Sequence, residues 1–132
     1  MAMLPQACFL KMEFNMGYLT EAERFLAVTV SKTRYAAREQ RGLNFDIDHD
    51  YVMKLLEKQN GKCALTGWTM EFTRSGVKGE GNPYGCTMDR INSDLGYIKG
   101  NIQLTCWWPN KVKSNMSNRE FIRMCKDVAQ TC

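Results

Sequence analysis

Asp89 and Asn110 are the residues whose types and spacing first suggest chemistry. Asp89 lies in a short run, Thr87 to Ile91, whose alternation predicts a strand, and Asn110 falls in a stretch that predicts a helix from near Cys106 to about Ser114. Between them lie the turn residues Asn92-Ser93-Asp94-Leu95-Gly96 and a second β-rich run, Ile102 to Thr105, so the two runs read as a hairpin. Strand, loop, strand and helix would bring a carboxylate and an amide oxygen to one point. Two hard oxygen ligands of this kind suit Mg²⁺ or Mn²⁺, with water in the remaining positions. Lys99, Lys111 and Lys113 would supply phosphate contacts beside such a site.

The elements that must position these residues are legible from local signals. Thr20 and Glu23 form a Thr-x-x-Glu capping box, which predicts a helix from about Glu21 to Glu39 with Phe25, Val28, Tyr35 and Ala36 as its loose apolar stripe, ended by Gly42. Asp48 is the N-cap expected for a second helix, His49 to Gln59, with Val52, Leu55 and Leu56 on one face and Gly61 beyond its end. From Cys63 to Asp89 the many glycines favour turns, with a loop near Ser75 to Tyr84. Pro109 fits the first turn of the helix after the hairpin. Ser117 and Glu120 make a second capping box, opening a last helix expected to bury Phe121, Met124, Cys125 and Val128. The fold class expected is α+β.

A chain of 132 residues is long enough for one modest core and too short for two. It reads as a single domain, with residues 1–42 as a basic helical segment and 43–132 as the core. No stretch approaches the length of a membrane span, and the start lacks the basic opening and cleavage site of a signal peptide, so a cytoplasmic protein is expected. The net charge of +4 is unremarkable, but its distribution is not. From Arg24 to Arg41, Glu39 is the lone acid among Arg24, Lys32, Arg34, Arg38 and Arg41, and from Lys99 to Lys126 Glu120 alone offsets six basic residues. Arg34, Arg38 and Arg41 are therefore candidates for contacts to a nucleic-acid backbone.

With these residues in view, the chain resembles the HNH, or ββα-metal, nuclease superfamily. The resemblance rests on Asp89-Arg90-Ile91, Gly96-Tyr97, Asn101, Cys106 and Asn110 with Lys113, and on Gly61-Lys62-Cys63-Ala64-Leu65-Thr66-Gly67, which looks like the segment before the hairpin in phage and restriction-type members. It covers roughly residues 41 to 124. It implies a DNA endonuclease leaving 5′-phosphate and 3′-hydroxyl ends, phage-encoded and acting on double-stranded DNA in the bacterial cytoplasm. Asp89 is implied as strand metal ligand, Asn101 as the asparagine bracing the loop, and Asn110 as second ligand. Where most of the family carries a histidine as general base this chain has Arg90, which stays protonated and is suited to holding the scissile phosphate. The base is left between His49, the only histidine, and Tyr97.

The six cysteines read as free thiols rather than a disulfide framework. The zinc knuckle of related nucleases needs two Cys-x-x-Cys pairs, and Gly67 and Pro109 stand where two cysteines would be, so structural zinc is not expected and Cys63 and Cys106 should pack together. Trp107 and Trp108 read as core or dimer-interface residues, only one of which can point inward, and a homodimer is compatible with that surface. Two rivals stay open: a DNA-binding relative that has lost hydrolysis, and a protein-interaction domain.

Overall fold

The computed structural model describes residues 20–132; Cys8 and the start read for a signal peptide lie outside them. Helix α1 (Glu21–Tyr35) opens on the Thr20 cap, with the Thr20 hydroxyl accepting from Glu23 N and Glu23 accepting from Thr20 N. The α-helix stops at Tyr35 and passes into a π-helical turn, Ala36–Gln40, rather than continuing regularly to Glu39. Its buried stripe is Ala22, Leu26, Val30 and Ala37. Of the expected stripe Phe25 packs against the core, whereas Val28 and Tyr35 face solvent, which corrects the expectation for those two.

Helix α2 (His49–Lys58) is capped by Asp48, which accepts from Tyr51 N, and buries Val52 and Leu56. At its end Gln59 acts like an extra strand residue: its side chain accepts from Leu104 N and donates to Leu104 O. Strands β1 (Cys86–Arg90) and β2 (Ile102–Cys106) pair antiparallel, with Thr87 opposite Thr105, Met88 opposite Leu104 and Asp89 opposite Gln103. Helix α3 (Trp107–Lys113) follows directly, with Pro109 in its first turn, and α4 (Asn118–Thr131) opens on the Ser117–Glu120 capping box.

The hairpin separates two environments. Side chains alternate across a strand, so Cys86, Met88, Leu104 and Cys106 share one face and Thr87, Asp89, Gln103 and Thr105 the other. The first set joins the core with Leu26, Val30, Phe45, Ile47, Val52 and Leu56. The second set is polar, and α3 lies over it, which is why every residue of β2 is buried. Helix α4 departs from expectation. Phe121 is buried, but Met124, Cys125 and Val128 are exposed, and Cys125 with Ile122 walls an apolar groove of about 590 Å³ bounded also by Trp68, Trp108 and Val112. Periodicity identifies an apolar face without identifying what covers it.

Candidate active site

β1 presents Asp89 on the polar face of the hairpin, where only 4% of its surface is exposed. Its cross-strand neighbour Gln103 donates to Oδ2 at 2.7 Å, and Gln103 is itself held by a reciprocal pair of hydrogen bonds with Asn118 at the start of α4. Lys113 Nζ lies 3.0 Å from Oδ2 and 3.2 Å from Oδ1. The carboxylate is thus fixed from two sides before any ligand arrives. Asn110, one helical turn before Lys113, donates from Nδ2 to the Thr87 hydroxyl at 2.9 Å, which leaves its amide oxygen as the acceptor open to a cation.

Asn101 organises the long connection between the strands. Its Oδ1 accepts from Asn92 N at 2.9 Å, while Nδ2 donates to Asn92 O at 3.0 Å and Gly96 O at 2.9 Å. Three hydrogen bonds from one buried side chain replace the regular pairing that the loop lacks. The loop is also docked from outside. Phe45 and Tyr97 form a short parallel bridge, Tyr97 N donating to Asn44 O and Asp46 N to Tyr97 O. Their rings pack at 5.6 Å. The Arg90 guanidinium sits over the Tyr97 ring, and Nη1 donates to Ser93 O and Leu95 O. Two of its five N–H donors are engaged, and those of Nε and Nη2 remain for an anion.

These residues wall one small cavity of about 160 Å³, lined by Asp89, Arg90, Tyr97 and Asn110 and by Arg41, Ser93, Ser114 and Asn115. Of the expected site residues it gathers Asp89, Arg90, Asn110 and Arg41. Arg34, Arg38, Lys99 and Lys111 do not line it. Arg34 lies over the Phe45 ring, Arg38 donates to Phe45 O, and Lys111 lies over Trp107, while all four side chains belong to exposed residues. His49 is also elsewhere, its Nε2 3.0 Å from Glu23 O, where it ties α2 to α1.

Lys113 requires a correction. Expected as an exposed phosphate contact, it is 0% exposed and its charge is spent on Asp89 and Arg90 O. The cause is helical geometry: positions three apart share a face, so a helix that turns Asn110 toward the hairpin turns Lys113 there too. Gln103 and Thr87 escaped the sequence reading, although strand alternation places both on the face of Asp89.

Among the described residues no three His, Cys, Asp or Glu side chains gather as a metal cage. One carboxylate and one amide oxygen nonetheless fit Mg²⁺ or Mn²⁺, because such ions keep several waters and take substrate phosphate oxygens as further ligands. On the core side, Cys63, Cys86 and Cys106 are buried together, Cys106 N donating to Cys63 Sγ at 3.2 Å. Burial, reinforced by the neighbouring thiols, pushes both the Cys86 and the Cys106 thiol up to about 12. Cys63 moves the other way: burial opposes the shift, but hydrogen bonds from the Thr66 side chain and from backbone amides outweigh it.

Neither a protein-family model nor a curated protein matches the sequence. Among solved structures, the rare-cutting HNH restriction endonuclease PacI matches at a TM-score of 0.64 with 18% identity, over 89% of this chain and 92% of that one. The chain has an HNH-type nuclease fold. Within the HNH fold the hairpin and α3 form the ββα unit, and the cavity lies where they meet.

Proposed function

We propose that the protein is a divalent-metal-dependent endonuclease that hydrolyses double-stranded DNA. The observation carrying this reading is that Asp89, Arg90 and Asn110 line one cavity at the strand–helix junction of an HNH-type fold, with Arg41 at the same wall. Asp89 and Asn110 would hold Mg²⁺ or Mn²⁺, which supplies charge stabilisation to the phosphate and the leaving 3′ oxygen. Arg90 keeps its guanidinium aimed by Ser93 O and Leu95 O, and its free donors would grip a non-bridging phosphate oxygen and stabilise the charge that grows there. Asn101 holds the loop against which Arg90 is braced. Arg34, Arg38, Arg41, Lys99 and Lys111 would contact the DNA backbone on either side. His49 is outside the cavity, so Arg90 is not backed by an imidazole base.

Incubation with supercoiled plasmid tests this. Cleavage should require Mg²⁺ or Mn²⁺, disappear in Asp89→Asn, and fall on the order of 10²-fold in Arg90→Ala. Binding without cutting at any metal concentration would favour the inactive DNA-binding relative. Full activity in both variants would move the chemistry away from this cavity.

A further inference from the structure

Lys113 is the largest fully buried side chain among the described residues. A lysine is almost never fully buried without a partner, and here the ammonium donates to Asp89 Oδ1 and to Arg90 O and lies 3.0 Å from Asp89 Oδ2 in an ion pair. Asp89 in turn has about four acceptor positions. Gln103 donates to Oδ2, Lys113 donates to Oδ1 and lies in ionic contact with Oδ2, and Oδ1 keeps a position for a further ligand. The carboxylate read above as the anchor of a dication is therefore already charge-balanced by an internal ammonium. A divalent ion on Oδ1 would sit on the order of 5 Å from Nζ, where two positive charges repel well above thermal energy even in a medium of effective dielectric about 20. Water cannot hydrate Lys113 to relieve that repulsion, since it has no exposed surface.

We propose that Lys113 is the resident counter-ion of Asp89: it keeps the site folded without metal and makes the free protein a poor metal binder, so that the dication is held only when a DNA phosphate adds its own negative charge and oxygen ligand. Lys113 is a positioning residue, acting on the metal through Asp89, and the inference rests on the reading of Asp89 and Asn110 as metal ligands. By linkage, DNA raises metal affinity by the same factor by which metal raises DNA affinity. The protein then carries no armed metal centre until it is on its substrate.

Mn²⁺ titration followed by electron paramagnetic resonance tests this on the whole protein, with thermal melting as a second readout. Wild type alone should bind Mn²⁺ at least tenfold more weakly than wild type bound to a duplex with a non-hydrolysable phosphate analogue, and its melting should ignore chelator. Lys113→Met, and Lys113→Gln as the variant that keeps a hydrogen-bonding group, should each bind Mn²⁺ at least tenfold more tightly than wild type without DNA. Mn²⁺ should also raise their melting temperatures, because an unpaired buried Asp89 then depends on the ion. The double variant Asp89→Asn/Lys113→Met, a neutral pair, should bind none. If free wild type binds Mn²⁺ as tightly as Lys113→Met and the double variant loses that binding, the counter-ion role is wrong while Asp89 stands as ligand. If no form binds Mn²⁺, with or without DNA, the ligand assignment itself is wrong and the inference goes with it.

Discussion

Gly96→Ala should unfasten the loop of the site from the segment that precedes α2. A Cβ at Gly96 would lie 2.4 Å from Asn44 O, 2.9 Å from Asn44 N and 3.0 Å from its carbonyl carbon, all backbone atoms that cannot swing aside. Relief requires the loop and residues 44–46 to part by roughly 1 Å, the shortfall from ordinary van der Waals contact. That separation breaks the two hydrogen bonds of the Phe45–Tyr97 bridge, now 2.9 and 2.8 Å, at about 1 kcal/mol each. It also loosens Phe45 and Tyr97, which are 4% and 8% exposed, and losing a third of their burial energy adds about 1–2 kcal/mol. The expected destabilisation is about 3–4 kcal/mol. Gly100→Ala is the control: Gly100 has φ +86° and open space around its Cβ direction, so alanine there costs about 1 kcal/mol through backbone strain alone. Urea unfolding of both variants and the wild type measures the difference. Because Tyr97 supports the Arg90 guanidinium, Gly96→Ala should also lose plasmid cleavage at temperatures where it is still folded. Equal urea midpoints for the two variants would refute the reasoning, since the steric contact with Asn44 must outweigh the backbone strain that only Gly100→Ala carries.

The triple variant Arg34→Ala/Arg38→Ala/Arg41→Ala should weaken binding to random-sequence duplex and flatten the plot of log affinity against log salt by up to about 2.7, or 0.9 per lost phosphate contact. Fluorescence anisotropy at several salt concentrations reads it, and an unchanged slope would remove these arginines from the interface. Stability should fall above pH 9: Cys86 and Cys106, raised to about 12 in the folded protein against 9.0 when unfolded, keep two protons that the unfolded chain releases. Each thiol then costs about 1.4 kcal/mol per pH unit between those values, whereas the lowered Cys63 acts below pH 9 and in the opposite direction. Urea midpoints between pH 9 and 10.5 should drop about half as steeply in Cys86→Ala as in wild type, and identical slopes would contradict the assignment.

The parts of this protein that local chemistry dictates were legible in its sequence. Thr20 with Glu23, Asp48 with Tyr51 N, and Ser117 with Glu120 satisfy orphan helix amides within four residues of chain, so each signal carries its own partner. The hairpin and the helix that follows it were equally local: alternation, turn residues and a proline in the first helical turn needed nothing distant. The convergence of Asp89 and Asn110 followed from the order of strand, loop, strand and helix, and motif resemblance added their roles as ligands.

What depended on distant chain was decided only in the folded molecule. The apolar periodicity of α4 was visible, yet whether Met124, Cys125 and Val128 are covered depends on which distant elements reach them, and among the described residues none does. Gly96 was marked as a motif glycine, but its reason is the backbone of Asn44, more than fifty positions upstream. Lys113 is the sharpest case. In sequence it is one more positive charge in a basic stretch; in the structure it is a buried cation facing Asp89 across 24 positions of chain. A charge has the same sequence signature in water as in the interior, and only the packing of α3 onto the polar face of the hairpin determines which of those two media surrounds it.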